Sequence, residues 1–388
     1  MKSQTALRDI LFFVSNQRIG AINPDGSGEC CPQFNIPSFE HCQIEYVFPD
    51  GQEAVLLSQD PPKNPKAAFS DPDGRGFAKT HLWRFNFKAK SSRELILQSQ
   101  MRVAGVIPGR NRFVICGNDN NVASLFATDL DGNNREDFWS GPGYAYGTSP
   151  SPDGRKIAYH ITGIPGHLQY MIYVIDLDSK KTTLIADDPD FLHFGPLWSP
   201  DGQWVVYQRC LSRNDPGHDH SDVCISRADG SEHKVLTTGQ SHWFATSYGI
   251  PGKHGSGSNM PVWSPDGRVS CALLLPGSRT AWPHANDRPD TDHFNRDYHP
   301  ELARGGTQIC MIDPRTGTIT PITHDDPPTW NFRLSWSPDG SRLAFIRADV
   351  GHLSELWVMD ADGKNRRMLT RGLEGSGVDH PRWVRIAG

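Results

Sequence analysis

The sequence predicts an all-β protein, a seven-bladed β-propeller whose ring is closed by N-terminal strands that pair with the C-terminal strand. Three observations lead to this prediction: a recurring turn phrase, a second phrase that follows it, and two chain ends that complement each other. The 388 residues include 37 glycines and 30 prolines, which favours many turns and few long helices. Such a repeat overrides the expectation of two or three domains that the length alone would give.

The first phrase is Trp-Ser-Pro-Asp-Gly. Its full copies are Trp198–Gly202, Trp263–Gly267 and Trp336–Gly340, and its weaker copies are Phe48–Gly51, Ile107–Gly109 and Ser151–Gly154. Proline presets φ, glycine accepts a positive φ and aspartate bonds its own backbone, so the phrase predicts a tight turn. An apolar, β-rich run such as Leu343–Arg347 follows each copy. Each copy is therefore expected to join strand A to strand B of one blade.

The second phrase is an acidic turn that lies downstream of the first. Its copies are Asp129–Gly132, Asp176–Asp178, Arg227–Gly230, Asp313–Gly317 and Asp360–Gly363. It is expected to join strand C to strand D, which gives four antiparallel strands per unit. Radial repetition of such units is typical of a β-propeller.

The two chain ends supply the seventh blade. Leu11–Ser15 and Asn23–Gly26 have the pattern of a strand B and a C–D turn, and His380–Trp383 has the pattern of a strand A. Six internal A–B turns and these complementary halves together predict seven blades. We therefore expect one domain over residues 1–388.

Four long segments interrupt the repeat. They are residues 59–81, 210–222, 237–261 and 276–307. Each is a B–C or D–A connection, and these connections share one face of an up-and-down propeller. Loops carry function more often than the strands that support them, so this face is expected to hold a site at the mouth of the axial channel.

Polar side chains near the ends of strands A and B are expected to converge on that mouth. The candidates for catalysis are His160, Tyr207, Arg209, Tyr144 and Tyr146. The candidates for substrate binding are His193, His254, Asn259, Arg333 and Arg347. Arg pairs with carboxylates and His or Tyr moves protons, so the set suits an anionic, hydroxyl-rich ligand.

Among these candidates, His160 and Arg209 are assigned to equivalent positions of adjacent blades, side by side at the mouth. A structural role is the alternative for each single residue, because His and Tyr at strand ends often bond neighbouring backbone. His380, which precedes a proline, is assigned such a role as a cap of the closing strand.

Soft metal ligands surround the second long segment. Four of them, Cys210, His218, His220 and Cys224, lie within fifteen residues, enough for a structural Zn²⁺ ion if the loop folds back. The alternative is a solvated loop beside two core thiols. The acidic, His-containing segment 276–307 makes a weaker prediction of Mn²⁺ or Ca²⁺. No Gly-rich phosphate loop occurs in the sequence, so no organic cofactor is expected.

Composition argues against other classes of partner. The 39 Lys and Arg stand against 44 Asp and Glu without a basic block, which disfavours nucleic acid, and no apolar run reaches the roughly 18 residues of a membrane span. The eight scattered cysteines suggest mostly reduced, buried thiols, with a pairing of Cys30 or Cys31 with Cys42 as the alternative. The apolar patch Ile10–Val14 is too short for a signal peptide. We expect a cytoplasmic protein if the chain is full length, and a secreted or periplasmic one if a leader was removed.

Over nearly its whole length the chain resembles the TolB-like seven-bladed propellers, through the Trp-Ser-Pro-Asp-Gly and Asp-Ala-Asp-Gly phrases. That family includes peptidase propellers, periplasmic binding proteins and polysaccharide lyases such as oligogalacturonate and ulvan lyases. The lyases use His, Tyr and Arg on this face, some with a metal. The resemblance implies the fold, and function has to be argued from the site.

The favoured function is a lyase that cleaves uronate-containing oligo- or polysaccharides by β-elimination. Arg209 or Arg347 would neutralise the carboxylate, His160 would take the C5 proton, and Tyr207, Tyr144 or Tyr146 would serve as acid. A non-catalytic propeller that binds a protein or peptide ranks second, although such a face would favour apolar exposure. A glycoside hydrolase ranks third, because it needs two inward carboxylates about 5–10 Å apart.

Overall fold

The computed structural model is a ring of seven antiparallel β-sheets, which confirms the predicted fold class. It describes residues 6–16, 18–34, 36, 40–60, 80–98, 100–119, 122–162, 170–211, 220–239, 246–257, 259–283 and 296–387. Six blades have four strands each, and the seventh combines one C-terminal strand with two N-terminal strands. A separate two-stranded hairpin lies between blades 4 and 5 in the sequence.

The strands are numbered in chain order, and the first strand named for each of the blades below is the inner one, strand A. Blade 1 contains β3 (Glu40–Val47), β4 (Glu53–Gln59), β5 (Thr80–Asn86) and β6 (Ser91–Gln98). Blade 2 contains β7 (Gln100–Ile107), β8 (Arg112–Asp119), β9 (Val122–Asp129) and β10 (Glu136–Pro142). Blade 3 contains β11 (Tyr144–Pro150), β12 (Lys156–Thr162), β13 (Met171–Asp176) and β14 (Thr182–Ala186). Blade 4 contains β15 (Phe191–Trp198), β16 (Val205–Leu211), β17 (Ser221–Ser226) and β18 (His233–Val235).

The remaining strands complete the ring. The hairpin consists of β19 (Thr246–Ile250) and β20 (Lys253–Gly257). Blade 5 contains β21 (Val262–Trp263), β22 (Val269–Leu274), β23 (Thr307–Ile312) and β24 (Ile319–Pro321). Blade 6 contains β25 (Thr329–Trp336), β26 (Arg342–Asp349), β27 (Glu355–Asp360) and β28 (Arg367–Thr370). Blade 7 contains β29 (Asp379–Ala387), β1 (Leu7–Ser15) and β2 (Arg18–Ile22).

Helical structure in the described ranges is confined to two 3₁₀ turns, Pro300–Leu302 and Leu373–Gly375. Within those ranges, no helix has the length and apolar character needed to cross a bilayer.

The ring closes where the two chain ends meet, as the sequence predicted. β1 pairs with β29 in an antiparallel register that places Leu11 opposite Trp383. On its other side β1 pairs with β2. A two-bond bridge between Ala21 and Cys30, with both N–H···O distances at 2.9 Å, takes the place of a fourth strand.

The Trp-Ser-Pro-Asp-Gly turns are held by their serine and aspartate side chains. In the copy before β16, the Ser199 hydroxyl donates to Asp201 Oδ1 at 2.6 Å, and the Gly202 N–H closes the turn on the Ser199 carbonyl at 2.9 Å. The hydrogen bond from Ser199 holds the pKa of Asp201 below its ordinary value. These hydrogen bonds form within the phrase itself, so the turn could be predicted from the sequence alone.

Two tryptophans of the phrase, Trp263 and Trp336, connect neighbouring blades through their indole N–H groups. Trp263 Nε1 donates to the Leu197 carbonyl of blade 4 at 3.0 Å, and Trp336 Nε1 donates to the Ser270 hydroxyl of blade 5 at 2.9 Å. Blades 5 and 6 are thereby fixed against the blades before them.

All four long segments leave and re-enter the ring at the same face. Segments 59–81, 210–222 and 276–307 connect strands B and C, and segment 237–261 connects strand D of blade 4 to strand A of blade 5. The parts 61–79, 212–219, 240–245 and 284–295 lie outside the described residues. The hairpin β19–β20 lies within segment 237–261.

Candidate active site

A bulge recurs in the inner strands just before the turn phrase. It begins three residues before the tryptophan or its counterpart, at Gly147, Gly195, Arg333 and His380, and Met260 has the same position in the sequence of blade 5. In blade 1 the register shift falls one residue later, at Glu45. The backbone φ is +53° at Gly147 and +66° at Gly195, but it is also positive at Arg333 (+49°) and His380 (+47°). A left-handed conformation costs a non-glycine residue roughly 1–2 kcal/mol. Such strain concentrates at functional sites, so Arg333 and His380 point to a candidate site in this part of the ring.

A half-open cavity of about 280 Å³, called the chamber below, lies beside these two residues and is lined by the inner strands of blades 1, 5, 6 and 7. Arg333, His380, Arg382 and Glu45 supply charged or titratable groups to its lining. Its apolar lining includes Met260 and, from β1, Phe12 and Phe13. The chamber therefore offers two guanidinium groups and an imidazole next to apolar surface.

Asp379 is the common partner of several polar groups next to the chamber. Its Oδ1 accepts hydrogen bonds from the Tyr248 hydroxyl and from the His380 backbone N–H at 2.7 Å. Arg333 Nε lies 3.3 Å and His380 Nδ1 lies 3.2 Å from the same oxygen. Burial alone would raise the pKa of Asp379, but the charges of His380 and Arg333 and the Tyr248 hydrogen bond outweigh it and hold the pKa far below its ordinary value. Asp379 is a fixed anion in this cluster.

The contact with Asp379 determines the tautomer of His380. An Nδ1 that faces a carboxylate oxygen carries the proton, so the Nε2 of the neutral ring keeps its lone pair. The imidazole is 44% exposed and lines the chamber. An imidazole oriented by a carboxylate in this way has the geometry of a general base.

The hairpin β19–β20 brings Tyr248 to this cluster. The Tyr248 ring stacks on Phe332 with 4.3 Å between centroids, and a Cβ at Gly255 would lie 2.4 Å from the ring, so that only glycine fits opposite it. Burial and the neighbouring charge of Asp379 raise the pKa of the Tyr248 phenol well above its ordinary value. Tyr248 is therefore a permanent hydrogen-bond donor to Asp379. Trp282 Nε1 donates to the Gly249 carbonyl at 3.1 Å and anchors the hairpin further.

Asn259 and Arg333, two of the residues assigned to substrate binding, are directly connected. Asn259 Oδ1 accepts the Arg333 backbone N–H at 2.7 Å, and the Asn259 carbonyl accepts Gln208 Nε2 at 3.2 Å. Asn259 is buried and holds the strained backbone of Arg333 in place. Arg333 itself lines the chamber.

His160 and His193 lie between blades 3 and 4, and both are buried. His160 Nδ1 accepts the Gly195 N–H at 3.3 Å, which places the proton of the neutral ring on Nε2. His193 Nδ1 lies 3.3 Å from the Tyr170 carbonyl and therefore carries its own proton. Burial lowers the pKa of His160 to about 3 and that of His193 to about 4. Both rings are neutral near pH 7.

The expected equivalence of His160 and Arg209 is wrong. Lys156 and Trp204 occupy matching positions, because the backbone carbonyl of each accepts the N–H of the serine that opens its turn. His160 follows Lys156 by four residues and therefore corresponds to Gln208, one residue before Arg209. Side chains alternate along a strand, so a shift of one residue turns them to opposite faces of the sheet.

Three other predicted site residues, Tyr207, Arg209 and Arg347, are not among the residues that line the chamber. Tyr207 is fully buried and shares its position in the repeat with the core aromatics Tyr159 and Phe345. Arg209 lies 3.6 Å from Asp222, and Arg347 lies 3.2 Å from Asp325. Tyr144 and Tyr146 belong to β11 and His254 to β20, and the positions of these three side chains are outside what the structure describes.

Cys210 and Cys224, two of the four predicted zinc ligands, do not share a site. Cys224 lies directly opposite Tyr207, whereas Cys210 is three residues further along β16, so the two thiols project from opposite faces of the sheet. Burial raises the pKa of the Cys224 thiol to about 12. His220 is exposed, and His218 lies outside the described residues. Where the chain is described, no group of three or more His, Cys, Asp or Glu has an arrangement that fits a metal ion.

The two buried histidines predict instability in acid. An unfolded histidine titrates near pH 6.5, whereas these two stay neutral in the folded protein down to about pH 3 and 4. As the pH falls below about 6.5, only the unfolded chain binds these protons, so stability decreases by about 1.4 kcal/mol per pH unit for each histidine. Urea unfolding between pH 7 and 5 is expected to show this loss. His160→Gln is expected to remove about half of the slope, and an unchanged slope would contradict the assignment.

No protein-family model matches the chain. One stretch is 35% identical over 77 residues to the uncharacterized peptidase YuxL of Bacillus subtilis, and covers 20% of this chain and 11% of that protein. Another is 30% identical over 96 residues to the Tol-Pal system protein TolB of Anaeromyxobacter dehalogenans, and covers 17% of this chain and 22% of TolB. The chain thus spans well under two thirds of either relative.

Solved structures match over most of the chain. An oligogalacturonate lyase from Vibrio parahaemolyticus aligns with a TM-score of 0.54 at 12% identity, over 96% of this chain and 89% of the lyase. An oligogalacturonate lyase in complex with manganese gives 0.53 at 13% identity, over 94% and 85%. A puromycin-hydrolyzing peptidase from Mycobacterium tuberculosis gives 0.57 at 11% identity, over 94% and 53%. At these identities the similarity shows the propeller fold, which lyases and peptidases share.

Proposed function

We propose that the protein is a lyase that cleaves uronate-containing oligosaccharides by β-elimination in the chamber. One observation carries the proposal: the His380 imidazole, held through Nδ1 by Asp379, shares the chamber with the guanidinium groups of Arg333 and Arg382. β-Elimination from a uronate needs a base at C5 and a cation on the C6 carboxylate, whose charge increases as the proton leaves. The chamber brings these two requirements together.

Each group has a defined role in this reaction. His380 Nε2 takes the C5 proton, the electron pair forms the C4–C5 double bond, and the bond from C4 to the leaving oxygen breaks. The imidazolium then returns the proton to that oxygen, so no further acid is required. Asp379 fixes the tautomer of His380 and stabilises the imidazolium. Arg333 and Arg382 pair with the carboxylate, because a guanidinium carries five N–H donors in a planar fork.

The proposal keeps the lyase chemistry that the sequence favoured and moves it to other residues. Arg333 retains its assigned role in substrate binding. His380 takes the role of base that was assigned to His160, because His160 is buried and its Nδ1 already accepts a hydrogen bond. The likeness to two oligogalacturonate lyases supports the proposal only as far as the shared fold.

The test is a panel of acidic glycans: oligogalacturonates, ulvan-type oligosaccharides and glucuronate-bearing oligosaccharides. β-Elimination is expected to produce the ultraviolet absorbance of a C4–C5 unsaturated uronate on at least one of them. Substrate incubated with the His380→Asn variant is the matched control. Absence of this absorbance on all three, with protein whose folding is confirmed by circular dichroism, would end the lyase proposal.

A non-catalytic propeller that binds a protein or peptide is the second candidate, favoured by the local sequence match to TolB. This alternative predicts that no unsaturated product forms on any glycan. It also predicts that His380→Asn leaves partner binding unchanged, because such binding needs no general base. The glycan panel therefore distinguishes the two candidates.

A further inference from the structure

Two polar side chains of β3, Gln43 and Glu45, line the chamber together with Arg333 and Arg382. Gln43 Nε2 donates a hydrogen bond to Glu45 Oε1, so the amide holds the carboxylate in place. Arg382 Nη1 donates to the backbone carbonyl of Ile44, the residue between them, at 2.6 Å. The Glu45 carboxylate and the Arg382 guanidinium are thus both anchored to the same short stretch of β3.

The charges in and beside the chamber cancel. The two positive charges of Arg333 and Arg382 stand against the two negative charges of Asp379 and Glu45 while the His380 ring is neutral. Burial lowers the pKa of Arg382 and the charge of Glu45 opposes that shift, so Glu45 balances Arg382 as Asp379 balances Arg333. A ligand with one carboxylate adds one negative charge, which the proton gained by His380 offsets. A second negative charge would meet no further cation among these five groups.

We propose that Glu45 restricts the chamber to sugar rings whose single negative charge is the uronate carboxylate. An ionised carboxylate accepts hydrogen bonds and donates none, so Glu45 suits a free ring hydroxyl. A sulfate ester at that hydroxyl offers no donor and places a second negative charge beside Glu45, which lowers affinity. The inference rests on the proposed uronate lyase, and it narrows the substrate to uronates without a sulfate ester on the bound ring.

The test measures affinities for galacturonate and for its 2-O- and 3-O-sulfate esters by titration calorimetry. Every variant carries His380→Asn, so that ligands bind without being cleaved, and His380→Asn alone is the parent. Glu45→Gln is expected to raise the ratio of sulfated to unsulfated affinity by about tenfold over the parent, because it removes one like charge at close range.

Two further variants serve as controls. Glu53→Gln removes another carboxylate of blade 1, which Arg84 Nε binds at 2.9 Å and which is not among the groups that line the chamber. It is expected to keep the ratio of the parent. Gln43→Glu adds a negative charge next to Glu45 and is expected to lower the ratio, which tests the proposal even if Glu45→Gln fails to fold.

The outcomes separate this inference from the proposed function. If the parent binds galacturonate and neither Glu45→Gln nor Gln43→Glu changes the ratio, Glu45 does not select against charge. If Glu53→Gln raises the ratio as much as Glu45→Gln, the effect comes from net charge and the inference is wrong. If neither the parent nor the unsubstituted protein binds galacturonate or its esters, the uronate specificity itself fails and the inference fails with it. A ratio that rises with Glu45→Gln and not with Glu53→Gln supports both.

Discussion

Replacement of His380 by asparagine is expected to lower the rate of unsaturated product formation by about 10²–10⁴-fold, the usual contribution of a general base. The expectation follows from the geometry: His380 Nδ1 lies 3.2 Å from Asp379 Oδ1, and His380 lines the chamber together with Arg333 and Arg382. Initial rates of ultraviolet absorbance on the best glycan of the panel give the measurement. Stability is expected to change little, because the imidazole is 44% exposed.

The control for this prediction is His160→Gln, which removes the base that the sequence favoured. Because His160 is buried and accepts the Gly195 N–H, this variant is expected to lose stability and to keep most of its rate per folded molecule. The reverse pattern, with activity lost only when His160 is replaced, would return the role of base to His160.

The left-handed backbone at His380 gives a second measure of the same site. His380→Gly and His380→Ala both remove the imidazole, so both are expected to be inactive. With φ at +47°, the glycine variant is expected to be about 1 kcal/mol more stable than the alanine variant in urea unfolding. Equal stabilities would mean that the backbone at His380 is not strained.

The fold could be predicted because its information is local. In the turn at Ser199, Asp201 and Gly202, the hydrogen bonds form within a few residues, so the residue types alone predict the turn. Ring closure was predictable for a related reason, since β1 and β29 each carry half of a pattern that the internal blades show complete.

The site could be predicted only in part, because its information is not local. Asp379 and Tyr248 are 131 residues apart in the sequence, and Tyr248 lies in a hairpin that no repeat pattern predicts. His160 and Arg209 were matched one residue out of register, an error that reverses the face of a strand. His380 was treated as a cap because it stands before a proline at the start of the closing strand. Alignment through Trp383 would have placed His380 beside Arg333 in the inner ring.

Replacement of Asp379 by asparagine is expected to cause the second large effect, a loss of about 10²–10⁴-fold in rate together with a loss of stability. An asparagine amide can donate to His380 Nδ1, which moves the ring proton to Nε2 and removes the base without moving the imidazole. Arg333 and Tyr248 lose their anionic acceptor at the same time. Removal of one partner from a buried ion pair costs about 3 kcal/mol, measurable by urea unfolding.

Two control variants separate these causes. Asp325→Asn also removes a buried carboxylate from an arginine, the 3.2 Å contact with Arg347, but Asp325 does not line the chamber. It is expected to cost stability and leave the rate per folded molecule nearly unchanged. Tyr248→Phe keeps the charge of Asp379 and the tautomer of His380, so a loss of less than about tenfold is expected, the equivalent of one hydrogen bond. If Asp325→Asn lowers the rate as much as Asp379→Asn, the loss reflects destabilisation, and Asp379 has no part in orienting the base.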